Sequence, residues 1–412
     1  MHVTPIEKAI AALQQGKMIL LVDDYDRENE ADLVMAAEHT TVESMCFMMH
    51  HGCGIICLSM TAAHAQQLNL KLLVGSEANT NQYQTPFAMS FEARTGVSTG
   101  ISAQDRVTTI LTASKKNASA NDIVTPGHVF PLIAQEHGVL ARRGHTEGSV
   151  DLLKIANLKP QAVICELMNE DGSVAKGQQV KSFAQQHQLA IVSIQDIVNF
   201  RLQQEDFIEE HTTTTLPLEK YGTFKLSVIK EKIQHTDHVV LEKEPLDPNA
   251  PCLVRIHSSC LTGDIFHSLR CDCHEQLHYS LARISQQGGI LIYLDQEGRG
   301  IGLFNKIKAY ALQEKNLDTV QANEALGFSA DLRKYYLAAN ILRNKGINHI
   351  RLLTNNPQKM APFNADPYFS ITRVPMPIFS NPLNHQYLLT KKQKLNHQID
   401  LGSHHENSYR QC

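Results

Sequence analysis

Hydrophobic positions change period early in the chain. Ile6, Ile10 and Leu13 share one helical face within Ile6–Gln14, Gly16 stops that helix, and Met18–Val22 is an unbroken apolar run of strand length. Short apolar runs at Gly54–Leu58, Ala162–Leu167 and Ala190–Ser193 alternate with helical patterns, which predicts a layered α/β domain. The pattern then fades. Arg201 to Tyr221 holds Glu205, Asp206, Glu209 and Glu210, the run Thr212–Thr215 and Pro217, which predicts a polar linker at 204–221. Apolar positions resume at Gly222–Val228, and Gly289–Leu294 reads as a short buried strand running into Gln296-Glu297-Gly298-Arg299. Residues from Gly402 onward are polar and predict a frayed end. The expected fold class is α/β, with two layered domains of mixed sheets, 1–203 and 222–412, joined by that linker.

Bulk properties narrow the partners. A chain of 412 residues is too long for one ordinary core and suits two domains of near-equal size. Hydrophobic and charged contents of 42% and 19% describe a soluble globular protein. A net charge of −4 gives no reason to expect nucleic acid or membrane as a partner, so anionic substrates must meet local basic clusters. Nine cysteines, six of them scattered (Cys46, Cys53, Cys57, Cys165, Cys252, Cys412), fit a reducing cytoplasm better than a disulfide framework. Met18–Val22 is far short of a membrane span or signal peptide, so a cytoplasmic location is expected.

The densest chemistry lies in R-I-H-S-S-C-L-T-G-D-I-F-H-S-L-R-C-D-C, where Cys260, Cys271 and Cys273 form a C-x10-C-x-C array. Three thiolates with no fourth ligand at matching spacing leave one zinc position open, as a catalytic site requires. Two other readings stay open on spacing alone: ordinary cysteines, or a structural site closed by a distant histidine. The segment resembles GTP cyclohydrolase II, which opens the guanine imidazole ring in riboflavin biosynthesis. The resemblance continues through Gln296–Leu303, Asn305–Gln313, Leu317–Asn323, Leu326–Arg333 and Arg351–Lys359. It implies hydrolysis of GTP to a diaminopyrimidine, formate and pyrophosphate at a zinc ion held by the three cysteines. It implies further that Arg255, Ile256, His257, Ser258, Ser259, Gln276, Glu297, Gly298, Arg299, Tyr310, Thr319, Thr354 and Lys359 bind GTP. Asp331 would be the proton acceptor. Arg333 would be either a nucleophile towards the α-phosphate or a stabiliser of transition-state charge, since guanidinium normally stays protonated.

In the first half, Met18–Val22 ends in Asp23-Asp24-Tyr25-Asp26-Arg27-Glu28-Asn29-Glu30. An acidic loop is commonly a solvated surface. Carboxylates beside an arginine at a strand end also suit a sugar phosphate held with Mg²⁺. With S-T-G-I-S-A-Q-D-R (Ser98–Arg106), G-H-V-F-P and R-R-G-H-T-E in one order, residues 1 to about 200 resemble 3,4-dihydroxy-2-butanone 4-phosphate synthase. That family converts ribulose 5-phosphate to the butanone phosphate plus formate with Mg²⁺ or Mn²⁺. The resemblance implies that Glu28 and His145 bind the metal, and that His128 and Glu166 form the acid–base pair. Arg27, Glu28, Asp32, Arg142, Arg143, Gly144, His145, Thr146 and Glu166 would hold the substrate. His128 and His145 each follow a glycine, which allows close approach of backbone to ligand. Both families imply a homodimer.

Some positions depart from the families. Ser259 stands where Glu is usual, Asp295 where Arg is common, and His274 where Gly is usual. These suggest that the usual Glu and Arg contact each other, so that both positions changed together, and raise His274 as a fourth zinc ligand. They also keep open an active synthase joined to a catalytically weak, nucleotide-binding regulatory zinc domain. A further alternative is ring opening of a modified purine. Ala31 replaces a usual Gly, which would be strained by roughly 1–2 kcal/mol if its φ were positive.

Overall fold

Each half of the chain builds one seven-stranded mixed sheet, and the two compact units divide between Gln204 and Glu205. The structure, a computed structural model, describes residues 4–24, 27–75, 78–81, 83–246, 250–315 and 317–400. Tyr25 and Asp26 of the acidic run, Cys412 and the tail from Gly402 lie outside the described residues.

The first sheet comprises β1 (Ile19–Val22), β2 (Ala31–Ala36), β3 (Cys57–Thr61), β4 (Phe91–Ala93), β5 (Ile123–Ala134), β6 (Gln161–Glu166) and β7 (Ala190–Ser193). Its order is β4-β5-β3-β6-β2-β1-β7, with β1–β7 and β3–β5 parallel and the other neighbours antiparallel. Every residue of β2 is buried, as a central strand covered on both faces requires. The first helix, Pro5–Gln14, starts at Thr4 with a capping box to Glu7 and buries Ile6, Ala9 and Leu13. Ile10 is only half-buried, because at 100° per residue it lies off the centre of that stripe. The strand expected at Gly54–Leu58 begins only at Cys57. Gly54–Ile56 forms a loop, with Ile55 51% exposed, whose backbone serves the site described below.

The second sheet comprises β8 (Ile208–Leu218), β9 (Gly222–Glu231), β10 (Asp237–Lys243), β11 (Cys252–Ser258), β12 (Gly289–Leu294), β13 (His349–Leu353) and β14 (Ser370–Val374). Its order is β14-β13-β11-β12-β10-β9-β8. The four strands β12-β11-β13-β14 run parallel and the β12-β10-β9-β8 neighbours antiparallel. The linker expected at 204–221 is corrected here: most of it is the edge strand β8, hydrogen-bonded along β9. β-Branched Thr212–Thr215 favour extended backbone, and Pro217 is tolerated because an edge strand leaves one side unpaired. Phe207, just ahead of β8, is already buried in the second unit, its N–H donating to Asn340 Oδ1 at 3.1 Å. The carboxyl ends of β11, β12 and β13 lead into Ser259, Asp295 and Thr354, so three motif segments meet at one end of the parallel strands, where such sheets bind ligands.

Candidate functional site

In the first unit, β1 and β6 end where β2 begins, and the register sets Asp32 directly opposite Glu166. Burial and the facing Glu166 push the Asp32 carboxyl well above the ordinary carboxylate range. Glu166 Oε2 accepts the Ile55 N–H at 2.8 Å. His145 opens the helix His145–Ile155. Its Nδ1 lies 3.8 Å from both Glu28 and Asp32, and burial lowers its pKa, which favours a neutral, metal-ready imidazole.

Ligand atoms of Asp23, Glu28 and His145 lie within 4.8 Å of one another, while His145 Nε2 and Asp32 Oδ1 are buried without a hydrogen bond. Two hard carboxylates and an imidazole fit Mg²⁺ or Mn²⁺. Asp23 was not singled out from the acidic run, although it stands at its head. Arg27 Nη1 donates to Asp23 at 2.8 Å and Glu28 at 2.6 Å, bracing the pair.

Other expected residues have different partners. His128 sits on β5 with its Nδ1 bonded to Glu92, not to Glu166. Arg142 is committed to Glu147 at 2.6 Å and to the Tyr83 carbonyl at 3.0 and 3.2 Å. Arg143 donates to Asp24 at 2.9 Å and Gln195 at 2.8 Å with its side chain 46% exposed, and Thr146 is buried. The glycines before the two histidines make room for protein rather than ligand. A Cβ at Gly127 would strike the Phe91 backbone, and one at Gly144 would strike Arg142. Ala31 has no positive φ, so the strain considered for it does not arise.

In the second unit Cys260, Cys271 and Cys273 converge, their sulfurs within 4.8 Å of one another. Sulfurs at the corners of a zinc tetrahedron, with Zn–S of about 2.3 Å, stand about 3.8 Å apart; Cys260 and Cys271 Sγ are 3.8 Å apart. Gly263 lies beneath them, where a Cβ would meet Cys271 Sγ at 2.9 Å and Cys260 Sγ at 3.0 Å. Hydrogen bonds from Cys271 and Cys273, with Lys306 nearby, pull Cys260 below the usual thiol range, while Cys271 is pushed up to about 12. The donor set therefore fits zinc. His274 is not among the converging groups: its ring packs on His267 and His278, with centroids 3.8 and 4.1 Å away.

Two adjoining cavities of about 670 and 620 Å³ open beside the thiols and share Ser258, Cys273, Arg333 and Tyr387 as lining. The first is walled by Ser259, Glu297, Gly298, Arg299, Tyr310 and Thr319, the second by Arg255, His257, Gln276, Thr354 and Lys359. Ile256 contributes only its carbonyl, which accepts from Lys359 Nζ at 2.8 Å. Gly298 and Arg299 both adopt left-handed backbone, φ 63° and 62°, which turns the loop back on itself. Buried guanidinium atoms Arg299 Nη1 and Nη2 and Arg255 Nε lack partners, and burial with Arg255, Arg333 and Lys391 nearby pushes Lys359 well below the lysine range. Buried guanidinium N–H groups left without hydrogen-bond partners suit a polyanion.

Asp331 grips Arg333 Nε and Nη2 at 2.8 and 2.5 Å. Burial opposes that charge, but Tyr335 and the bound carboxylate hold the guanidinium above its ordinary pKa. Tyr387 and Lys391 were not anticipated from the sequence. Lys391 binds Asp272, between two of the thiols, at 2.8 Å. They lie on the helix His385–Lys394, outside every motif block quoted above. Ser259 Oγ donates to Asp295 Oδ1 at 3.1 Å, so the two departing residues do touch.

Residues 7–200 match the family model for 3,4-dihydroxy-2-butanone 4-phosphate synthase, and residues 209–365 that for GTP cyclohydrolase II. The riboflavin biosynthesis protein RibBA of Aquifex aeolicus is 47% identical over 396 residues, covering 95% of this chain and 97% of that protein. The chain belongs to the RibBA family of bifunctional riboflavin biosynthesis proteins. RibBA of Bacillus velezensis is 45% identical over 395 residues, covering 95% of this chain and 98% of that protein. The crystal structure of RibBX, a two-domain 3,4-dihydroxy-2-butanone 4-phosphate synthase from A. baumannii, covers 91% of this chain and 100% of its own, with a TM-score of 0.70 and 32% identity. The chain is thus a lyase and a hydrolase in one polypeptide, serving riboflavin biosynthesis from both halves.

Proposed function

We propose that the first half converts ribulose 5-phosphate to 3,4-dihydroxy-2-butanone 4-phosphate and formate. Asp23, Glu28 and His145 would hold Mg²⁺ or Mn²⁺, which when bound polarises the substrate carbonyl and hydroxyl oxygens. Asp32 and Glu166, opposed across two strands, exchange protons with the ketose carbon skeleton, the enclosed Asp32 as donor and Glu166 as base. His128 acts with Glu92, and Arg27, Arg143 and Thr146 bind substrate. Arg142 positions the Tyr83 segment, since Nε, Nη1 and Nη2 each already donate within the protein.

The second half, in this reading, hydrolyses GTP to 2,5-diamino-6-(5-phosphoribosylamino)pyrimidin-4(3H)-one, formate and pyrophosphate. The observation that carries it is the meeting of three thiols with cavities lined by Arg299, whose buried Nη1 and Nη2 have no hydrogen-bond partner, and by Arg255 and Lys359. Zinc there supplies an activated water for ring opening. Arg255, Arg299 and Lys359 bind phosphates. Arg333 is a fixed cation beside the α-phosphate rather than a nucleophile, because its bidentate bond to Asp331 keeps the guanidinium protonated.

A weak regulatory zinc domain is the less favoured reading, since the thiols converge despite the changes at Ser259, His274 and Asp295. A homodimer is proposed, supported in the first half by exposed Ile55, whose N–H donates to Glu166 of the first site. A cytoplasmic location fits the eight free cysteines among the described residues. The test is to incubate zinc-loaded protein with GTP and Mg²⁺, following formate, pyrophosphate and the pyrimidine together, with ribulose 5-phosphate in a parallel reaction. GTP bound without formate release would refute the cyclohydrolase reading.

A further inference from the structure

Lys306 lies on the helix Gly302–Gln313 and is buried beside the first of the three thiols. Its ammonium has three N–H groups and three partners: Cys260 Sγ at 3.2 Å, Glu297 Oε1 at 2.7 Å and Thr262 Oγ1 at 2.9 Å. Glu297 in turn accepts at 2.6 Å from the backbone N–H of Leu261, the residue after the first thiol, and at 3.0 Å from Gly298 N–H. One buried cation thus joins a metal-type thiol to the left-handed turn that walls the nucleotide cavity.

We propose that Lys306 is a positioning residue for ring opening, holding Cys260 as a metal ligand and fixing the Glu297–Arg299 turn against it. The inference rests on the reading that the three thiols hold zinc. Three thiolates around a dication carry a net negative charge, which a buried site tolerates only when it is paired. An N–H···S bond from an ammonium supplies that pairing, and loss of such an outer partner typically costs 10–100-fold in metal affinity or activity. The carboxylate arm does a second job. Without Lys306, Glu297 keeps only its backbone donors and the turn is less firmly set toward the nucleotide.

A lysine that merely filled space would behave differently, and its stem does pack there: a Cβ on Gly298 would lie 2.9 Å from Lys306 Cβ. Lys306→Met keeps the stem and removes the charge; Lys306→Arg keeps a cation. Both go into the full-length chain beside the wild type. Zinc affinity is read by competition with a chromophoric chelator, the sulfur-to-cobalt charge-transfer band in the cobalt-substituted protein, and GTP turnover as KM and kcat separately. Synthase activity in the first half controls for gross misfolding. In Lys306→Met, zinc affinity should fall roughly 10–100-fold, the charge-transfer band should move to lower energy as sulfur regains electron density, and KM for GTP should rise. Lys306→Arg should keep most of the affinity. Wild-type affinity with an unmoved band in Lys306→Met overturns the proposal. So does a loss of zinc affinity of about 10-fold or more in Lys306→Arg, which also decides the matter if the Met variant does not fold. A wild-type chain that takes up no zinc overturns the metal reading itself.

Discussion

Asp32 and Glu166 face each other across β2 and β6, and the enclosure of Asp32 drives it toward its protonated form. The sign of the consequence follows from linkage. An acid whose folded pKa exceeds its unfolded value of about 3.9 stabilises the fold below that value and loses the contribution as pH rises through the folded pKa. Asp32→Asn keeps a neutral donor without that liability. In EDTA, calorimetry should find the variant's first unit melting higher than the wild type at pH 8, with the gap narrowing toward pH 5, while synthase turnover falls by about 10²–10⁴. A gap that widens toward acid would contradict the assignment. Arg333 makes the converse case, a cation locked by its partner. Arg333→Gln should lower cyclohydrolase kcat by about 10²–10³, and alkaline quenching of turnover with α-labelled GTP should find no label on the protein. A labelled arginine would restore the nucleophile.

Between elements, register decides who meets whom. Ser258 pairs with Leu294 along the parallel strands β11 and β12, so the next residues, Ser259 and Asp295, lie side by side. Ser259 Oγ also accepts the Gln296 N–H at 3.0 Å, which ties the contact to the nucleotide turn. Ser259→Glu alone sets a carboxylate against Asp295 and should depress cyclohydrolase activity; adding Asp295→Arg should recover it. The double-mutant cycle should give a coupling of about 0.5–3 kcal/mol, and additive effects would mean the contact carries no functional weight.

The same scale explains what the sequence discloses. β12 is legible residue for residue because a short apolar run coincides with burial, and β7 follows its apolar run although only Val192 in it is buried. β8 is not, because at a sheet edge Thr212–Thr215 need no apolar alternation to pair. Gly54–Ile56 is apolar yet forms a loop, since Ile55 is wanted for its N–H on Glu166. At the sites, residues inside one motif block are readable, as the three thiols are. Lys391 reaches Asp272 across 119 positions, and Lys306 gains meaning only when its helix packs over Cys260. No local pattern encodes either contact.

At the scale of the molecule, each unit carries a cluster of side chains able to hold a metal, and the two clusters differ in softness. Asp23, Glu28 and His145 offer hard oxygens and one nitrogen, while Cys260, Cys271 and Cys273 offer three sulfurs. A site with two carboxylates holds Mg²⁺ weakly and in rapid exchange, because the ion keeps much of its water. Thiolates select zinc and give it up slowly, since release needs protons at buried sulfurs. The two activities of one chain should therefore separate under chelation. Brief EDTA treatment should abolish formate release from ribulose 5-phosphate and leave GTP ring opening nearly intact, and added Mg²⁺ should restore the former at once. Prolonged treatment with a strong zinc chelator at mildly acidic pH should remove ring opening, with recovery only on adding zinc. Metal analysis alongside both assays checks the order: simultaneous loss of the two activities with zinc still bound would mean that the units depend on one another, and that the ligand sets do not act separately.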